Sequence, residues 1–335
     1  MSLGLALGIF AAAAAVVWFA GTRIAGYADQ IAEKTGLGRE LLGLLLLGGV
    51  TSLPELAVAS TAAVAGHPAL SVNDILGSAA INVLIIALAD AIIGRDAITS
   101  ILASPAVLLQ GVLGIILLAL VAAATLGPPL AFAGASAWTW CLLGAYGAAM
   151  WVISRSHSKQ QWTASRRRRR EPAPAQPPGA LRPLVVRTVI AGAAILVAGY
   201  FLAKSGEAIA EQSGLGTSFV GAVLLAAATS LPEASTVLGA VRLKRYEMAV
   251  SDVFGTNLFN MAILFVVDLL YGGAPVLAEA GRFAGVAAAL ALMLTALFVA
   301  GMIERRDKTV LRMGIDSLVA VLVYLGGVVV LYQLK

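Results

Sequence analysis

The chain has 335 residues, 60% hydrophobic and only 12% charged, with a mean hydropathy of +0.92 and a formal net charge of +5. Soluble domains average about 25% charged residues, so an ordinary soluble enzyme is excluded, and so is disorder, because this much apolar surface has to be buried. At about 20 residues per spanning helix, the chain holds roughly ten crossings of a bilayer.

In chain order, apolar runs cover residues 3–22, 41–65, 69–93, 97–126 and 129–153, and after a polar break 184–203, 217–241, 248–271, 282–302 and 313–334. Each is long enough to cross as a helix, and none alternates like a barrel strand. The first run lacks a basic leader and is longer than a signal-peptide core, so it reads as a helix of the mature protein. The polar break, 155–182, carries the five arginines Arg166 to Arg170 and then a proline-rich tract. It reads as a solvated cytoplasmic linker that touches anionic lipid headgroups rather than as a nucleic-acid arm. The single cysteine, Cys141, excludes a disulfide framework, and His67 and His157 fall in predicted loops, so no thiolate or imidazole metal site and no cofactor is expected.

Lys and Arg set the orientation. With the 155–182 segment inside, twenty basic residues collect on that face and only Lys204, Arg282 and Lys335 on the other. The expectation is a multi-pass protein of the cytoplasmic membrane with both termini extracytoplasmic. Oligomeric state has no signature in the sequence.

Shifting the sequence by 178 residues superposes its two halves without a gap. Thr51-Ser52-Leu53-Pro54-Glu55 matches Thr229-Ser230-Leu231-Pro232-Glu233, and Asp74, Gly77, Asn82 and Asp90 match Asp252, Gly255, Asn260 and Asp268. Twelve of the forty positions from 51 to 90 are identical, more than a shared apolar composition produces. Five spans in each half invert the second copy, which is the architecture of secondary transporters with a site at the midplane. The fold class is therefore an all-α polytopic membrane protein of ten transmembrane helices in two inverted repeats, 1–154 and 183–335, joined by the linker 155–182.

The repeated polar residues point to a cation. Glu55 and Glu233 fall near the middle of spans two and seven, where a carboxylate is costly and marks function. Pro54 and Pro232 have no N–H, so the carbonyls of Val50 and Ala228 lose their helical partners and become candidate ligands. Thr51, Ser52, Thr229 and Ser230 share a helix face with the glutamates that follow them. Asp74, Ser78 and Asn82 are spaced four apart, as are Asp252, Thr256 and Asn260, drawing a polar stripe on each third helix of a repeat. Gly77 and Gly255 allow close backbone approach beside it. Carboxylates, hydroxyls, amide oxygens and carbonyls make an all-oxygen donor set, which suits Ca2+ and other hard cations. Two glutamates balance one Ca2+, two Na+ or two H+, and an empty pair would repel in a poor dielectric.

At this point the two motifs resemble the α-repeats of the cation/Ca2+ exchanger superfamily, most nearly its prokaryotic sodium/calcium exchanger branch. The resemblance implies that Glu55 and Glu233 ligate Ca2+ and share Na+ sites. It further implies that Thr51, Ser52, Ser78 and Asn82 complete those sites with Thr229, Ser230, Thr256 and Asn260. The chain departs from the usual pattern at Val50, at Ala228, at Ala79 (usually asparagine) and at Asn260 (often aspartate). Asp74 and Asp252 stand where asparagine is common, as secondary charge in the site or as caps of the helix ends. The expected function is Ca2+:Na+ antiport by alternating access, with Ca2+:H+ antiport as the alternative. A passive channel would conduct without a counter-ion gradient, and an intramembrane aspartyl protease lacks its Gly-x-Gly-Asp motif.

Overall fold

The computed structural model describes residues 1–35, 48–93, 97–102, 104–156, 181–305, 309–310 and 312–335. The first repeat runs α1 (Leu3–Thr35), α2 (Gly48–Thr51), α3 (Leu53–Val64), α4 (Pro68–Ile93), the single turn α5 (Ile98–Ile101) and α6 (Pro105–Leu126). A small hairpin, β1 (Ala131–Phe132) with β2 (Ala135–Ser136), leads into α7 (Ala137–Ser156). The second repeat runs α8 (Leu181–Ser213), α9 (Thr217–Phe219), a π-helical turn Val220–Leu225, α10 (Ala226–Thr229), α11 (Leu231–Arg242), α12 (Tyr246–Tyr271) and α13 (Val276–Glu304). Its hairpin, β3 (Thr309–Val310) with β4 (Met313–Gly314), leads into α14 (Ile315–Gln333).

Eight of these helices are long and apolar enough to cross a membrane, and the pair Thr217–Thr229 and Leu231–Arg242, bent by 44°, makes a ninth crossing. The tenth expected crossing is α2–α3, and residues 41–47 of that run lie outside the described residues. Spans two and seven are broken helices. The breaks fall at Ser52 (φ −76°, ψ 4°) and Ser230 (φ −79°, ψ 7°), two residues before the prolines that withhold an N–H from the preceding turn.

Other boundaries also differ from the apolar runs. α1 and α8 continue to Thr35 and Ser213, because helical hydrogen bonding does not stop where apolarity does. Arg155 and Ser156 close α7, and Leu181 and Arg182 open α8. The expected linker is thus helical at both ends, and its basic and proline-rich middle, 157–180, lies outside the described residues. Run 97–126 is split into α5 and α6, and α13 is kinked at Gly281, whose φ of 58° suits glycine.

The repeats interleave. α1 packs along α8, α1 also lies on α11 of the second repeat, and α8 lies on α3 of the first. α4 and α12 form the centre: every residue from Leu70 to Val83 is buried, and so is every residue but Phe259 from Ala249 to Phe265. The outer helices leave Phe19 69%, Val189 65% and Leu322 60% exposed, which makes sense only if their surroundings are lipid. Gly77 meets the expectation of close approach. A Cβ there would collide with the backbone carbonyl of Ala222, so α4 crosses the π-helical turn backbone against backbone.

The repeated aspartates Asp90 and Asp268 are braces. Asp90, near the end of α4, accepts the N–H of Ile98 (2.7 Å) and of Gly314 (2.6 Å). Asp268, its mate in α12, accepts the N–H of Val276 (3.0 Å), the N–H of Ser136 (2.5 Å) and the Thr139 hydroxyl (2.6 Å). Ile98 and Val276 are repeat mates, as are Ser136 and Gly314. Each aspartate therefore ties the start of its own repeat's next helix to the hairpin of the opposite repeat.

Candidate functional site

The helix breaks decide where the glutamates sit. Glu55 and Glu233 occupy the first turns of α3 and α11, and neither side chain has measurable exposure. A helix start carries unpaired N–H groups and the positive end of the peptide dipoles, which favours a carboxylate at that point. A continuous helix would offer neither.

Cross-repeat hydroxyl pairs flank the glutamates. Thr51 Oγ1 and Thr256 Oγ1 are 3.2 Å apart, and their repeat mates Thr229 Oγ1 and Ser78 Oγ are 3.0 Å apart. Thr229 and Ser78 face Glu55, and Thr51 faces Glu233, so each carboxylate is met by hydroxyls that include the other repeat's. Glu55 and Glu233 are close enough to repel one another. The carboxyl group of Asp74 lies near Glu55 and that of Asp252 near Glu233. Among the described residues no lysine, arginine or histidine is buried.

The remaining sequence candidates divide. Asp74 accepts from Thr229 (3.4 Å) and Asp252 from Thr236, so both aspartates lie inside the buried polar cluster rather than at helix ends. Ser52 and Ser230 are buried at the two breaks. Asn82 and Asn260 are fully buried on α4 and α12. Asn82 donates to Asn257 Oδ1 (3.0 Å), whereas both amide atoms of Asn260 lack a partner. The carbonyls of Val50 and Ala228 belong to the last turns before the breaks. Both carboxylate oxygens of Glu55 and of Glu233, with Ser230 Oγ and Asn82 Oδ1, are buried without a hydrogen-bond partner.

Such a cluster demands something positive. Several unpaired acceptors away from water each cost on the order of 1–3 kcal/mol, and more when charged. The described residues gather no cage of three or more acidic, histidine or cysteine side chains suited to a metal ion, so a cation here would depend on two carboxylates and neutral oxygens.

Two contributors escaped the sequence reading, Asn257 and Thr236. Their repeat mates are Ala79 and Val58, so a search for polar residues present in both halves passes over them. The signals for Asn257 were its place directly after the Gly255-Thr256 step of the polar stripe and the asparagine usual at the position of its mate Ala79.

The profile of the family described as sodium/calcium exchanger protein matches residues 5–155 and 184–333. A relative from Alkalimonas amylolytica, named as antiporter CaxA, is 27% identical over 288 residues, covering 84% of this chain and 86% of the relative. The solved sodium-calcium exchanger NCX_Mj, soaked with 100 mM Na+ and 10 mM Sr2+, superposes with a TM-score of 0.67 at 17% identity, over 98% of this chain and 99% of that one. The same exchanger soaked with 2.5 mM Na+ and 0.1 mM Ca2+ gives 0.65 at 17% identity, over 97% and 98%. At that identity the likeness establishes the architecture, two inverted five-helix repeats, end to end.

Proposed function

The chain belongs to the sodium/calcium exchanger family, and we propose that it exchanges Ca2+ for Na+ across the cytoplasmic membrane by alternating access, holding the cation midway between its repeats. It is an integral multi-pass membrane transporter and not an enzyme. One observation supports the site most directly. Glu55 and Glu233 are both fully buried and near enough to influence one another electrostatically, with cross-repeat hydroxyls beside them and no base buried among the described residues to neutralise them.

In this reading Glu55 and Glu233 supply the charge that binds Ca2+. The hydroxyls of Thr51, Ser52, Ser78, Thr229, Ser230 and Thr256 replace its water, with the amides of Asn82 and Asn260 and the carbonyls of Val50 and Ala228. Asp74 and Asp252 flank the pair as secondary charge. Two like charges held close together in a medium poorer than water repel strongly. That repulsion biases the protein against carrying the ionised pair empty. One Ca2+ or two Na+ remove the penalty and cannot both occupy the same carboxylates, so each drives the other out. This is the physical content of exchange.

Asp74 and Asp252 add two buried carboxyl groups beside the glutamates, which favours protons as the rival counter-ion. The test is uptake of radioactive Ca2+ into proteoliposomes under an outward Na+ gradient or an outward H+ gradient. Uptake is expected to follow the Na+ gradient and to collapse when Na+ is equal on both sides. Uptake driven by the pH gradient alone would assign the counter-ion to H+, and flux with neither gradient would indicate a channel.

We place both termini outside and the segment 155–182 inside on the basic-residue asymmetry. In a Cys141→Ala, Ser2→Cys variant, a membrane-impermeant thiol reagent added to intact cells should label the protein. Labelling only after lysis would reverse this orientation.

A further inference from the structure

Asn82 and Asn260 are repeat mates, both fully buried, yet their surroundings differ. Asn257 Nδ2 donates to the backbone carbonyl of Ala79 (3.0 Å), and Asn82 Nδ2 donates to Asn257 Oδ1 (3.0 Å). The direction of this chain is fixed at its far end. A backbone carbonyl can only accept, so Asn257 must turn its NH2 toward Ala79. Its oxygen then faces Asn82, which must answer with its own NH2. The Asn82 oxygen is left buried without a protein donor. It lies one helical turn beyond Ser78 on the same face, the face that meets Thr229 beside Glu55.

We propose that Asn257 is a positioning residue whose side chain holds the Asn82 amide with its oxygen, not its NH2, turned to the transported cation. The inference rests on the reading of Asn82 as a cation ligand. A reversed amide would point two partially positive hydrogens at Ca2+, so orientation decides whether Asn82 attracts or repels the substrate. The mirror position cannot do this work. Ala79 ends in a methyl group, and the Asn260 amide has no partner at either atom. Two halves that share the same asparagine are therefore chemically inequivalent: Asn82 presents a fixed neutral oxygen, and no hydrogen bond fixes which atom Asn260 presents.

Asn82→Ala, Asn257→Ala and the double variant separate the possibilities, read by half-saturating Ca2+ in proteoliposome exchange and by Ca2+-induced thermal stabilisation in detergent. Loss of a partner that orients a metal ligand costs about 10–100-fold in affinity, so Asn257→Ala should raise half-saturation about tenfold. The double variant should bind no worse than Asn82→Ala alone, because an anchor has no effect once its ligand is gone. Asn257→Asp keeps the acceptor for Asn82 Nδ2 but cannot donate to Ala79, so its half-saturation should stay at or below that of the parent. A merely structural tie to Ala79 would make Asn257→Asp as damaging as Asn257→Ala. Independent, multiplying effects of the two alanines, or an aspartate variant as weak as Asn257→Ala, would overturn the proposal. If Asn82→Ala leaves affinity unchanged, the ligand reading itself falls. If Asn82→Ala weakens binding and Asn257→Ala does not, only the positioning role falls.

Discussion

Glu55→Gln and Glu233→Gln should each abolish Ca2+ exchange, by at least about a hundredfold, while leaving insertion and folding intact. Glutamine keeps the shape and one acceptor oxygen but removes the charge that answers a divalent ion in a fully buried place, with no base buried among the described residues. The structural consequence should run the other way. No buried base neutralises either glutamate among the described residues, and the two repel one another, so removing one charge relieves the ion-free protein. Without Ca2+ each variant should therefore melt no lower than the parent in detergent. With Ca2+, the stabilisation that a ligand confers on the folded state should disappear from the variants. Normal uptake by either glutamine variant would remove the carboxylate pair from the site. A variant that melts well below the parent without Ca2+ would make the glutamates structural instead.

A large stability loss is expected elsewhere, at Asp268→Ala. That substitution strands the N–H groups of Ser136 and Val276 in a brace whose aspartate is 4% exposed, while the Thr139 hydroxyl keeps the Ser136 carbonyl as an acceptor. At about 1 kcal/mol or more for each orphaned buried donor, the loss is roughly 2 kcal/mol or greater. Asp90→Ala strands two, the N–H groups of Ile98 and Gly314, and should cost roughly 2 kcal/mol by the same reasoning. The asparagine variants keep one acceptor oxygen and should fall between alanine and the parent. Thermal unfolding of the purified variants gives the ranking, and an Asp268→Ala protein as stable as its parent would show that the brace carries no load. Both braces tie one repeat's central helix to the other repeat's hairpin, so their loss should loosen the contact between halves on which the site depends.

Much of this protein was legible before any tertiary contact was known, and the reasons are local. Apolar runs of about 20 residues specify spans because a bilayer leaves no other way to satisfy a backbone. Pro54 and Pro232 marked the carbonyls of Val50 and Ala228 as unpaired, since a missing N–H acts on its own turn, while the breaks at Ser52 and Ser230 came from the structure. The 178-residue repeat picked out Glu55, Glu233 and the hydroxyls around them, because both halves retain the same side chains. What repetition cannot reveal is asymmetry. Asn257 faces Asn82 while its mate Ala79 has only a methyl group, and Thr236 holds Asp252 where Val58 has no hydroxyl to offer Asp74.

The sequence by itself determined the crossings, the inversion and the set of repeated oxygen-bearing side chains, each a property of a short stretch or of its copy. Only the tertiary structure decided the pairing: Thr51 with Thr256, Ser78 with Thr229, Asp90 with Gly314 and Asp268 with Ser136. These partners lie 205, 151, 224 and 132 residues apart, and no local periodicity distinguishes one distant hydroxyl or amide from another. The interleaving of α1 with α11 and of α8 with α3 selects them, bringing together side chains from opposite repeats that a single five-helix half could not assemble alone.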